Sequence, residues 1–169
     1  MQPEQDFESL LPQLYSELHV IARSRLRHDR LAASLRPTEL VHETYLRLHG
    51  TRHAPTKDRV RVLALASGIM RNLLVDLARR RAAAKRGNHP VRVTLHDNFA
   101  GDDEGVDLLA LNDALLRLER LDARSAEIVQ MRFFAGLTET EIAAHLGISD
   151  RWVRKLWVHA RSWLRSELA

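Results

Sequence analysis

The sequence contains no cysteine, few glycines and few prolines, and these shortages exclude some kinds of site and favour one class of fold. With no cysteine among 169 residues, disulfide bonds and thiolate metal sites are excluded, and a reducing cytoplasm is the expected compartment. Seven glycines and five prolines leave long stretches rich in Leu, Ala and Arg. That composition favours an all-α fold.

Long hydrophobic runs are missing as well. No stretch approaches the roughly 18 apolar residues that a transmembrane helix needs, and the first residues are acidic (Glu4, Asp6, Glu8), unlike a secretory signal. We therefore expect a cytoplasmic protein that makes no membrane contact.

The sequence also lacks the patterns of common enzyme sites. It has no glycine-rich phosphate loop and no nucleophile elbow. His42 and Glu43 resemble the start of a zinc-binding helix, but position 46 is leucine instead of the second histidine, and the other histidines are scattered. We expect no enzymatic activity, no metal site and no cofactor.

Charge is distributed unevenly, although the net charge is only +4. One basic cluster comprises Arg71, Arg79, Arg80, Arg81, Lys85 and Arg86. A second comprises Arg151, Arg154, Lys155, Arg161 and Arg165. Between them lies an acidic run of Asp97, Asp102, Asp103, Glu104 and Asp107. Two basic segments with an acidic connector indicate a polyanion bound at two places, although each cluster alone would also suit a solvated helix face.

Hydrophobic periodicity divides the chain into two helical parts. Helical spacing of apolar residues runs over 7–27, 37–50 and 59–85, and again after about residue 107. Residues 87–106 have no helical period and contain the acidic run, so we interpret them as a flexible linker. The alternation in "VRVTL" would allow one short strand, but we expect none. The prediction is two small helical domains, 1–86 and 107–169.

The stretch "TETEIAAHLGISDRWVRKLW" predicts a helix-turn-helix. Thr138 and Glu141 form a capping box, Gly147 suits a left-handed turn, and Ser149 can cap the second helix. That helix has an apolar stripe of Val153, Trp157, Ala160 and Leu164. Its opposite face carries Arg151, Arg154, Lys155 and His159. The arrangement suits a helix that reads the major groove of DNA; the alternative is a pair of helices packed inside a helical core.

Three stretches together resemble the extracytoplasmic-function sigma factors of bacterial RNA polymerase. "RPTELVHETYLRLHG" looks like the family helix that docks on the polymerase clamp. "ASGIMRNLLVDLARRR" looks like its minus-ten helix, and "LTETEIAAHLGISDRWVRKLWVHARSWL" looks like its minus-thirty-five reader. The segments "PTELVHETYLRL" and "ARSWLRSEL" further resemble those of a sigma-like group that is often encoded near Ser/Thr protein kinases.

The resemblance implies an alternative sigma factor that binds core RNA polymerase and promoter DNA. Residues expected to face the clamp of the beta-prime subunit are Glu39, Leu40, Val41, Glu43, Thr44, Leu46 and Arg47. Residues expected at minus-ten DNA are His53, Lys57, Arg59, Arg71, Asn72, Asp76, Arg79 and Arg80, the first three in a loop resembling one that captures a base turned out of the duplex. Residues expected at minus-thirty-five DNA are Ser149, Arg151, Arg154, Lys155 and His159.

The clamp-docking stretch departs from the family pattern in its charge. Typical members are richly acidic there, whereas this helix keeps only Glu39 and Glu43 among several basic residues. A phosphothreonine adds about −1.5 to −2 charges. Our hypothesis is that a Ser/Thr kinase activates polymerase binding by phosphorylating a threonine of this segment, which contains Thr38, Thr44, Thr51 and Thr56. Thr51, just past the helix, is the first choice, and the alternative is an ordinary exposed threonine in a loop. A rival reading is a helix-turn-helix regulator that acts without polymerase, which predicts dimers and a palindromic DNA site.

Overall fold

The chain is almost entirely helical wherever its structure, a computed structural model, describes it. The described residues are 3–26, 36–51, 58–84, 90–93 and 105–169. The N-terminal lobe consists of α1 (Pro3–Arg25), α2 (Pro37–Gly50) and α3 (Arg59–Ala83). The C-terminal lobe consists of α4 (Leu108–Leu121), α5 (Ala123–Ala135), α6 (Glu139–Leu146) and α7 (Asp150–Leu168). The expected helical class is thus confirmed for these residues.

A short β-ladder is the only sheet among the described residues. Strand β1 (Arg92–Val93) pairs antiparallel with β2 (Val106–Asp107). The expectation of no strand was therefore wrong: Val91 and Val93 alternate into the core and are completely buried, which favours an extended backbone. The ladder places both described ends of the predicted linker beside α4; the acidic residues 97 and 102–104 lie outside the described residues.

Side-chain caps set the helix boundaries of the C-terminal lobe. Asp107, Asp122, Thr138 and Ser149 each accept a hydrogen bond from a backbone N–H in the first turn of the helix that follows, which satisfies donors that a helix start leaves unpaired. Thr138 also forms the predicted capping box with Glu141. The predicted capping box and the predicted Ser149 cap are confirmed. Both could be predicted because the cap oxygen and the N–H that donates to it lie only three residues apart.

Gly147 makes the turn between α6 and α7 in a left-handed conformation, with φ 67° and ψ 34°. A Cβ at position 147 would have no atom within 4 Å. A side chain there would therefore be disfavoured only by the left-handed backbone conformation. We expect Gly147→Ala to lower the free energy of unfolding by about 1–2 kcal/mol, measured by thermal or urea denaturation.

Gly50→Ala is the matched control for that substitution. A Cβ at Gly50, the last residue of α2, would also meet nothing within 4 Å, but its φ is not positive. We expect this variant to be as stable as the wild type or slightly more stable. If both variants lost the same free energy of unfolding, the left-handed backbone of Gly147 would not be the cause.

The two lobes pack directly on each other, chiefly through α3 and α5. Among the described residues, the buried hydrophobic side chains form one continuous core across both lobes. The division into domains 1–86 and 107–169 stays a prediction. The packing of α3 on α5 nevertheless determines which basic residues reach the surface.

Candidate polymerase-binding and nucleic-acid-binding surfaces

The outer face of α2 presents four of the seven residues expected to face the polymerase. Glu39, Glu43 and Arg47 are exposed, and Arg47 Nε lies 3.4 Å from the Glu43 carboxylate. Leu46 lies beside them with 50% of its surface exposed. An apolar centre surrounded by polar residues is the usual composition of a protein interface.

The other three residues of that set point inward. Leu40, Val41 and Thr44 are buried, and the Thr44 hydroxyl donates to the Leu40 carbonyl oxygen at 2.7 Å. Helical spacing puts them on the stripe that packs against α1 and α3. The expectation that they face a partner was wrong in this arrangement, because their burial stabilises the N-terminal lobe.

The outer side of α3 carries four of the eight residues expected at minus-ten DNA. Asn72, Asp76, Arg79 and Arg80 are all exposed. His53 and Lys57 lie outside the described residues. The exposed basic side chains at the end of α3 therefore form the accessible part of the predicted surface.

Arg71 does not belong to that exposed surface, contrary to expectation. Only 9% of its surface is accessible, and it donates from Nε to Asn112 Oδ1 at 3.0 Å and from Nη1 to Gln130 Oε1 at 3.0 Å. Burial lowers the pKa of the Arg71 guanidinium, and the charge of Glu119 opposes that shift. Arg71 thus joins the lobes through two neutral amides, and no carboxylate of the described residues is bonded to it.

Arg59 is also engaged between the lobes. Its guanidinium lies 2.7 Å from the Glu17 carboxylate of α1 and 2.6 Å from that of Glu141 in α6. The hydrogen bonds that Arg59 donates to the carboxylates of Glu17 and Glu141 raise the pKa of Arg59. Burial would raise the pKa of Glu141, but hydrogen bonds from Thr138 and Arg59 outweigh it and lower that pKa overall.

A third arginine at the lobe interface escaped the sequence analysis. Arg25 is buried; its Nε donates to the Phe133 carbonyl oxygen at 2.7 Å, and its guanidinium lies 4.2 Å from the centroid of the Phe133 ring. Nothing in the sequence around Arg25 indicates this role. Asn112 offered a signal, because it is a polar residue on the leucine-rich stripe of α4.

The outer face of α7 carries the residues expected at minus-thirty-five DNA. Arg151, Arg154, Lys155 and His159 are exposed, while the predicted stripe of Val153, Trp157, Ala160 and Leu164 is buried. Ser149 caps the helix by accepting from the Trp152 N–H at 3.1 Å. Arg154 Nε lies 2.9 Å from the Glu139 carboxylate. The basic side chains are therefore held on the solvent side of a helix anchored by its opposite face.

The described residues contain neither a metal-binding cluster nor a membrane-spanning helix. In the part of the chain that the structure describes, no group of three or more His, Asp or Glu side chains could hold a metal ion. No helix there is both long and apolar enough to cross a membrane.

Comparison with known families identifies the class of protein. The family model described as ECF sigma factor matches residues 3–169, and the chain belongs to that family. It is therefore an alternative sigma factor for transcription initiation, and the family implies binding to core RNA polymerase and promoter DNA. Family members are transcription regulators, not enzymes. Searches of curated proteins and of solved structures found no match.

Proposed function

We propose that this sigma factor docks on the clamp of the beta-prime subunit through the outer face of α2. In this proposal its promoter is read through α3 at the minus-ten element and through α7 at the minus-thirty-five element. The observation that carries the proposal is α7, whose apolar stripe is buried while its basic face is exposed. A recognition helix requires that division of faces.

The docking surface is supported by the position of Leu46. It is half exposed among charged neighbours, and burying it in a partner would remove apolar surface from water. The exposed carboxylates of Glu39 and Glu43 would favour a basic partner surface and increase the association rate.

Minus-ten recognition by all the predicted residues requires a change in lobe packing. Arg79 and Arg80 can reach phosphate as they stand, whereas Arg71 lies under α4 and α5 and Arg59 is paired with Glu141. For Arg71 to contact DNA, α3 has to separate from α5. We therefore propose that the arrangement in this structure is a closed form, in which α4 and α5 cover Arg71 and Glu141 of α6 pairs with Arg59. In the open form the C-terminal domain, residues 107–169, would separate from α3 while residues 87–106 link it to the N-terminal domain.

At the minus-thirty-five element, the side chains of α7 divide into two roles. Contacts from Lys155 or His159 to phosphate would set position without reading sequence. A bidentate contact from Arg151 or Arg154 to guanine would contribute about 1–3 kcal/mol of discrimination. Arg154 would first have to release Glu139, a surface pair worth little in water.

The decisive experiment compares this chain alone with its complex with core RNA polymerase. The proposal expects a stable complex by size-exclusion chromatography and transcription from promoters selected out of a randomised DNA library. Specific DNA binding by the chain alone, as a dimer on a palindromic site and with no polymerase complex, would support the plain helix-turn-helix regulator instead.

The predicted kinase switch at Thr51 belongs to this proposal, as does membership of the kinase-associated group. The support is the sparse acidity of the outer face of α2, where Glu39 and Glu43 are the exposed carboxylates. Thr51 itself is exposed and donates its hydroxyl to the Leu48 carbonyl oxygen at 2.7 Å, at the end of α2. A phosphate there would replace that donor and meet the negative end of the helix dipole. Any increase in affinity for core polymerase must therefore come from the negative charge that the phosphate adds.

We expect phosphorylation of Thr51 to increase affinity for core polymerase about tenfold, through the added negative charge, measured by fluorescence anisotropy before and after kinase treatment. Thr51→Val removes the hydroxyl without adding charge, so it separates loss of the end-of-helix hydrogen bond from the electrostatic effect. The valine variant should bind like the unmodified protein and ignore the kinase. A kinase response that survives in Thr51→Val would exclude Thr51 as the modified residue.

A further inference from the structure

The three tryptophans of α7 lie in different surroundings. Trp157 is buried beneath the Arg132 guanidinium, which lies 4.5 Å from its ring, and Trp163 packs against the core. Trp152 has 45% of its surface exposed and is absent from the core cluster and from the apolar residues around it. Core packing therefore accounts for Trp157 and Trp163 but not for Trp152.

The backbone position of Trp152 is fixed by the start of α7. Its N–H donates to the Ser149 side chain at 3.1 Å, so Trp152 occupies the first turn. Lys155, one turn further on, holds its Nζ 5.0 Å from the centroid of the Trp152 ring. The indole is thus displayed at the N-terminal end of the helix, beside a cation that can approach phosphate.

The N-terminal residues of a recognition helix are the ones that reach base edges in the major groove. The edges there present hydrogen-bonding groups, except for the 5-methyl group of thymine, which favours an apolar partner. An indole is a large apolar surface that loses water favourably on contact.

We infer that Trp152 determines specificity by packing against the methyl group of one thymine in the minus-thirty-five element. The inference rests on the proposed function, because it requires α7 to lie in the major groove. It differs from the phosphate contacts of Lys155, since a phosphate contact would not distinguish thymine from uracil.

The test removes only the methyl group from the DNA. Minus-thirty-five sites are first selected from randomised duplexes with the polymerase complex, and each thymine is then replaced singly by deoxyuridine. At one position we expect the wild-type complex to bind about fourfold more weakly, which corresponds to one buried methyl group. Trp152→Ala should bind the thymine and uracil duplexes equally at that position.

Leu121→Ala is the matched control, because Leu121 is also exposed but lies at the end of α4. It should keep the wild-type preference for thymine. Thermal unfolding of both variants should match the wild type, since neither side chain belongs to the buried core.

The remaining outcomes overturn the inference in distinguishable ways. Specific DNA binding without a uracil effect at any position overturns the role of Trp152 and leaves the proposed function intact. A uracil effect that persists in Trp152→Ala assigns the methyl contact to another residue. Weaker polymerase binding by Trp152→Ala, with no uracil effect, makes Trp152 a protein contact. Failure to select any DNA site overturns the proposed function, and this inference with it.

Discussion

Replacing Gln130 with glutamate is expected to hold the two lobes together and to weaken promoter binding about tenfold. Among the residues that the structure describes, the side-chain partners of the buried Arg71 are the neutral amides of Asn112 and Gln130. A carboxylate in place of the Gln130 amide would be a charge-assisted acceptor for a cation that is already buried. The hydrogen bond already has a charged donor, so the substitution adds the Coulomb attraction of an ion pair. We expect a net gain of about 1.4 kcal/mol, which is about a tenfold shift in the equilibrium for lobe separation.

Gln130→Lys supplies the opposite change at the same site. A second cation beside Arg71 repels it, so this variant should favour separated lobes and expose Arg71 to DNA. Asp113→Asn, on the exposed side of α4, is the control for altered charge away from the interface and should leave the lobes as they are.

Lobe separation can be measured by fluorescence energy transfer between two introduced cysteines. Because the chain has no cysteine, Val20→Cys in α1 and Leu121→Cys in α4, both at exposed positions, would be the only labelling sites. We expect energy transfer to differ between Gln130→Glu and Gln130→Lys, because the glutamate variant should be the more closed of the two. Promoter affinity should be lower in the glutamate variant than in the lysine variant. Identical energy transfer in both would contradict the role of Arg71 in holding the closed form.

Two leucines of α2 should separate polymerase docking from folding. Leu46 is half exposed on the outer face, whereas Leu40 is buried against the rest of the N-terminal lobe. We expect Leu46→Ala to weaken binding to core polymerase about thirtyfold, as at an interface hot spot worth about 2 kcal/mol, with stability changed by less than about 0.5 kcal/mol.

Leu40→Ala should instead lower the free energy of unfolding by about 2–5 kcal/mol, because it leaves a cavity in the core. Urea denaturation measures this loss, and titration of labelled protein with core polymerase measures the affinity of each variant. Wild-type affinity in Leu46→Ala would remove the outer face of α2 as the docking surface.

The boundaries of the C-terminal helices could be predicted closely because their determinants are local. Thr138 with Glu141, and Ser149 with the turn that follows, act over three residues. The glycine turns at 136 and 147 depend on a single backbone conformation. Spacing of apolar residues likewise indicated which face of α7 is buried.

In helix α2 the sequence did not distinguish buried from exposed residues. Leu40, Val41 and Thr44 belong to the stretch that resembles the clamp-docking helix. Resemblance to the family motif does not distinguish the side chains that pack inside the lobe from those on its surface. The packing of α2 against α1 and α3 makes that separation, since it buries those three and leaves Leu46 exposed.

The sequence by itself determined the helical class, the helix caps at Thr138 and Ser149, and the resemblance to the ECF sigma family. Apolar spacing and short sequence motifs depend on residues that lie close together in the chain. Only the tertiary structure decided that Arg71 is buried while Trp152 is exposed. The partners of Arg71 lie 41 and 59 residues away in the chain, and no local pattern specifies such contacts. They exist because α3 packs on α4 and α5, which turns a side chain expected on DNA into a link between the two lobes.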